Sequence, residues 1–149
     1  MKAKSMVLIG AMVFCCTLTA STPVVAQDNG NGTVTVGGKV WLKDVGCLGW
    51  RTWTGGSNQI ASLSHGRCGL TDNSKPGDWR YPNTDELLGV FSSYSLFVNV
   101  YWAWYWTGDS AGGSDKWGCY AGRPQGCLPM EEMGSLGVWP VRKDSGRRY

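Results

Sequence analysis

Ten consecutive residues, Phe97-Val98-Asn99-Val100-Tyr101-Trp102-Ala103-Trp104-Tyr105-Trp106, restrict what this chain can become more than any other segment. Aromatic and β-branched side chains dominate the run, the composition that pleated strands favour. Side chains alternate across a strand, so Trp102, Trp104 and Trp106 share one face while Tyr101, Ala103 and Tyr105 share the other. Both faces are apolar. Such a strand is either buried on both sides or leaves aromatic rings in water. The chain carries nine tryptophans, more than one small core needs, so some rings are expected at the surface. Trp and Tyr offer a flat apolar body with a polar tip, suited to stacking on a sugar ring or anchoring a protein partner. Tyr101, Trp102, Trp104, Trp106 and Trp117 are therefore the candidate binding residues. The competing reading has Trp102, Trp104 and Trp106 filling the space between sheet and helices. Residues 107–118, with Gly108, Gly112, Gly113 and Gly118, read as a loop.

The first residues read as a secretory signal. Lys2 and Lys4 precede an apolar stretch from Met6 to Leu18, and Val24-Val25-Ala26 offers small residues where a signal peptidase cuts. Cleavage is expected after Ala26, giving a signal peptide over 1–26 and one domain over 27–149. The apolar stretch is shorter than the about 20 residues that span a bilayer, so no membrane span is expected after signal removal. A retained anchor is the alternative. Removing residues 1–26 leaves 123 residues with 12 Lys and Arg against 11 Asp and Glu, a net charge of +1. That balance argues against nucleic acid as a partner.

Cys47, Cys68, Cys119 and Cys127 remain in the mature chain. An even count in an exported protein points to two disulfides, and the pairing of sequence neighbours, Cys47–Cys68 with Cys119–Cys127, is expected among the three possible. A zinc site is the competing idea. It is disfavoured because no close cysteine pair exists and His65 is the lone histidine. No metal, cofactor or catalytic residue is expected. Ser62 and Ser64 near His65 lack a positioned acid, and no G-x-S-x-G elbow occurs.

Asp28-Asn29-Gly30-Asn31-Gly32 has the oxygens and glycines of a calcium loop, but Lys39 stands where the closing Glu would be. A tight turn opening a hairpin is the better reading, with Thr33–Val36 and Lys39–Lys43 pairing across Gly37-Gly38. Residues 54–66 are ambiguous, with a short helix capped near Ser57 as one option. The next helix is clearer. Asn83 is a good N-cap, Glu86 completes a capping box, and Leu87, Leu88 and Phe91 follow at helical spacing. Val138 to Val141 is expected as the last strand, with Pro140 near an edge or bulge.

These marks together resemble the Lcl C-terminal domain family, named for a Legionella collagen-like adhesin. Its opening D-N-G-D-G-T-V turn is matched by Asp28 to Val34, and its tryptophan strand by Val40-Trp41-Leu42-Lys43-Asp44. Cys68-Gly69-Leu70-Thr71-Asp72 then leads to Asp78-Trp79-Arg80-Tyr81-Pro82-Asn83 with Glu86-Leu87, and Val138-Trp139-Pro140-Val141-Arg142 closes the pattern. The likeness spans essentially the whole mature chain. It departs at Tyr81, where leucine is common, and at Tyr101-Trp102-Ala103-Trp104, where W-S-S-T is usual. The resemblance implies an α+β, C-type-lectin-like fold: two short helices packed on a twisted, mostly antiparallel sheet. The motif residues are expected to be structural, with Arg80 in a bidentate ion pair and Trp79 in the core.

Export, disulfides and an aromatic surplus without a catalytic constellation point to a non-catalytic binding or adhesion module. It would be secreted, periplasmic or at the cell surface and would hold a glycan or protein partner on an aromatic loop face. The alternative is a structural subunit of a surface filament or multi-protein assembly, with self-assembly as the partnership. A formylglycine-generating type of enzyme is the least favoured reading.

Overall fold

A computed structural model describes residues 25–143; the signal peptide expected over 1–26 lies outside them except for Val25 and Ala26. The Asp28–Gly32 segment is a turn. Asp28 Oδ1 accepts from the Gly30 amide, Asn31 Oδ1 accepts from Thr33, and the Asn29 amide closes onto the Thr33 carbonyl. It joins β1 (Ala26–Asp28) to β2 (Thr33–Val36), and Gly37 and Gly38, both at positive φ, turn β2 into β3 (Lys39–Leu42). Two further short strands complete this antiparallel sheet, β5 (Trp79–Arg80) and β10 (Val141–Arg142). The order is β1-β2-β3-β10-β5, so a late segment supplies an interior strand.

The second sheet runs β4-β9-β6-β7-β8. It is built from β4 (Trp50–Arg51), β6 (Trp104–Gly112), β7 (Asp115–Tyr120), β8 (Gly126–Met130) and β9 (Leu136–Gly137). The β6–β9 contact is parallel and the remaining pairs are antiparallel. Two helices, α1 (Trp53–Ala61) and α2 (Thr84–Val90), accompany the sheets, and a 3-10 turn over Phe91–Leu96 follows α2. The chain is thus α+β, with two short helices, antiparallel and mixed sheets, and two disulfides, Cys47–Cys68 and Cys119–Cys127.

Four expectations need correction. Helix α1 begins at Trp53, capped by Thr52, whose side chain accepts from the Gly55 amide; Ser57 lies inside it. Gly55 and Gly56 do not stop the helix, and Gly56 is required there, because a Cβ would overlap the Tyr81 hydroxyl. The aromatic run is not one strand. Regular pairing starts only at Trp104, because the Tyr101 backbone is held by a side chain: the Tyr105 hydroxyl donates to the Tyr101 carbonyl and accepts from its amide, both at 3.0 Å. Residues 107–118 form most of the β6–β7 hairpin instead of a loop, turning at Gly112 and Gly113, both at positive φ. Finally, Val138 to Val141 is not a single strand. Pro140 separates β9 from β10, and the chain there passes from one sheet to the other.

Burial follows that crossing. One apolar cluster contains Val34, Trp41, Leu87, Phe91, Tyr105 and Trp139; a second contains Leu42, Leu63, Leu70, Trp79, Trp106 and Val138. Adjacent residues divide between them: Trp41 and Leu42, Tyr105 and Trp106, Trp139 and Val138. Strand β6 is therefore buried on both faces at Tyr105 and Trp106, while the segment just before it is exposed. Trp139 ties the first cluster together, with Phe97 4.8 Å, Tyr105 5.6 Å and Trp41 5.9 Å away between ring centroids.

Candidate functional site

The charged residues of the motifs are bound to one another. Arg80 grips Glu86 with two parallel bonds, Nη1 to Oε2 at 2.7 Å and Nη2 to Oε1 at 2.8 Å. Asn83 and Glu86 exchange the two bonds of a capping box at the start of α2. The Arg80 guanidinium, helped by the Asn83 amide and by Lys39 at 3.6 Å, lowers the Glu86 carboxyl to about 2. Arg142 lies between two carboxylates, 3.4 Å from Asp72 and 3.5 Å from Asp78, and over the ring of Trp79. Asp72 also caps the turn at Ser74, accepting from its amide and hydroxyl. Trp41, Trp79 and Trp139 are buried. His65 Nδ1 accepts from the Asn73 amide, and Ser62 donates to the Gln59 carbonyl while accepting from Arg67. These groups fasten loops to sheets.

The five aromatic candidates do not share one surface. Trp106 is fully buried in the second cluster, with its indole N–H donating to the Arg51 carbonyl at 2.8 Å, so it presents no face to a partner. Trp104 is half-buried against Tyr120, its cross-strand partner. Trp117 is also half-buried, but three positions from Tyr120 it stands on the opposite face of β7. Tyr101 and Trp102 are the exposed pair, at 53% and 58%. Although adjacent in sequence, they line different depressions.

Trp102 faces a groove of about 520 Å³ whose walls include Phe91, Tyr94, Arg123, Pro124 and Gln125. Tyr94 and Trp102 meet edge to face with centroids 5.1 Å apart. The far wall is carried on the loop between β7 and β8, and the Cys119–Cys127 bond ties that loop at its base, joining two residues that face each other across the strands. Tyr101 lines a narrower slot of about 160 Å³ with Trp50, Tyr105, Gly46, Gly49 and Gly137. Burial raises the Tyr105 phenol above its usual value, so it stays neutral at the floor of this slot.

Sequence reasoning did not find Tyr94, Trp50, Arg123 or Gln125. Tyr94 sits in a Ser-rich stretch after a helix and Trp50 beside Gly49, so neither belongs to a periodic pattern. Only their isolation as large aromatics among small or polar neighbours marks them. No protein-family model and no curated protein matches this chain.

Proposed function

We propose that this chain is an exported, non-catalytic binding or adhesion module with a C-type-lectin-like fold of the Lcl C-terminal kind, recognising a glycan or protein partner on its aromatic face. The observation that carries the reading is the exposed Tyr94–Trp102 pair walling the 520 Å³ groove. Two rings set edge to face present a negative ring surface to C–H groups, which is how a pyranose ring packs on an aromatic. Arg123 and Gln125 supply donors beside them for ring hydroxyls. A glycan uses both features together, and it is the ligand class this reading favours.

Two disulfides suggest an oxidising compartment, which supports export. The Arg80–Glu86 and Arg142–Asp72 pairs support reading the motifs as framework, leaving the aromatic groove as the recognition surface. The test is a glycan array with wild type and Trp102→Ala. A hit weakened about tenfold or more by the substitution, with thermal stability within about 0.5 kcal/mol of wild type, is the expected result. Array binding that survives Trp102→Ala unchanged overturns the groove as the site.

A further inference from the structure

The slot beside Tyr101 has a chemistry of its own. Trp50 and Tyr101 form its exposed walls, at 45% and 53% exposure, and the ring of Tyr105 lies at its buried floor. The Trp50 centroid is 6.4 Å from that of Tyr101 and 6.5 Å from that of Tyr105. The remaining wall is largely glycine. Gly137 lies directly against the Tyr105 ring, where a Cβ would overlap it, and Gly49 at positive φ faces open space. No Lys or Arg lines the slot. Among the described residues the cation–π pairs are Lys116 over Trp53 and Arg142 over Trp79, so the protein's own cations leave the exposed rings of Trp50 and Tyr101 unoccupied. Arg51, next in sequence to Trp50, turns its guanidinium to the Trp50 carbonyl. The turn carrying Gly46 is capped by a carboxylate, Asp44, which accepts from the Gly46 amide and from Asn99.

We propose that this slot is an aromatic cage for a quaternary ammonium group, the trimethylammonium head of a choline-type ligand. Two exposed rings, Trp50 and Tyr101, tilted at 50° to each other over a floor closed by the buried Tyr105, flank this small space, and a cation over a ring face within about 6 Å of its centroid is attracted to it. A methylated ammonium is poorly hydrated compared with a lysine head, so little is lost when it leaves water for ring faces. The volume, about 160 Å³, is well below the 300–1,000 Å³ of sites for drug-sized ligands and suits a head group rather than a whole oligosaccharide. The Tyr105 hydroxyl, bonded twice to the Tyr101 backbone, fixes Tyr101 beside the slot before any ligand arrives. This site is separate from the groove at Trp102, and the inference stands whether or not that groove holds a glycan.

The test uses the disulfide-bonded chain and choline chloride, followed by NMR at the Trp50 indole and Tyr101 ring resonances. Saturable shifts at both residues are expected. The uncharged isostere 3,3-dimethylbutanol should bind about tenfold more weakly, because it keeps the shape and loses the charge. Trp50→Leu keeps an apolar wall without a ring and should weaken choline by a similar factor, while Trp50→Phe retains most of the affinity. No saturable shift, equal binding of the isostere, or unchanged affinity in Trp50→Leu each overturns the cage. Phosphocholine and phosphatidylcholine vesicles identify the source. Tighter binding to vesicles than to choline upholds a membrane or surface headgroup, and preference for choline upholds a free small molecule.

Discussion

Gly56 lies in the interior of α1, where glycine costs about 1 kcal/mol relative to alanine. Its presence is explained by a residue 25 positions later. The Tyr81 hydroxyl donates to the Trp53 carbonyl at 2.9 Å and occupies the space a Cβ at position 56 would need, with the ring of Tyr81 stacked on Trp53 at 5.4 Å. Gly56 and Tyr81 are thus a sterically matched pair. Gly56→Ala should therefore destabilise by about 2–3 kcal/mol despite its better helix propensity. In a Tyr81→Leu background the same change should cost at least about 1 kcal/mol less. Chemical denaturation of the four proteins of this cycle measures the coupling directly.

At the scale of elements, the start of α2 was legible. Asn83, Glu86 and the apolar spacing specify the capping box and the helix from local rules, and the Arg80–Glu86 fork matches expectation. This element makes stability depend on pH. The folded Glu86 carboxyl is lowered from 4.5 to about 2, so its contribution is fully present above about 4.5 and is lost as pH falls toward 2. Glu86→Gln should cost about 1–3 kcal/mol at neutral pH and flatten the stability profile between pH 4.5 and 2, as read from denaturation midpoints across that range. The hairpin β6–β7 was not legible. Gly108, Ser110 and Gly112 look like loop residues, yet Ser110 pairs with Lys116 across the hairpin and the Gly108 amide donates to the Pro82 carbonyl, contacts made by residues distant in the sequence pattern. The exposed segment before β6 failed for the opposite reason. Its aromatic residues favour a strand, but a tyrosine hydroxyl satisfies the backbone locally and Asn99 takes a positive φ. Periodicity sees neither event. The candidate site suffered most, because period-two alternation grouped Trp102, Trp104 and Trp106, and the strand that would align them starts only at the second of these.

At the scale of the whole molecule, the two apolar clusters divide the adjacent pairs 41–42, 105–106 and 138–139 between them, so placing a backbone segment for one cluster places a residue of the other. Both disulfides close short loops, spanning 21 and 8 residues. Loop-closure entropy gives them about 3 and about 2.5 kcal/mol. The larger constraint is the passage of residues 136–142 between sheets. β10 is the strand that joins β3 to β5, and β9 is the strand that joins β4 to β6. A fragment ending at residue 135 lacks both joints together with Val138 and Trp139, and should show no cooperative unfolding transition and no near-ultraviolet circular dichroism from packed tryptophan.

That passage also orders events in time. Pairings between residues 41 and 141 or 50 and 137 are far apart along the chain, and such contacts close late and slowly. While the polypeptide is being made, its first 135 residues have no arrangement in which either sheet is complete. If the fragment ending at residue 135 stays unfolded as expected, the chain remains extended enough to pass a narrow channel until Trp139 is made.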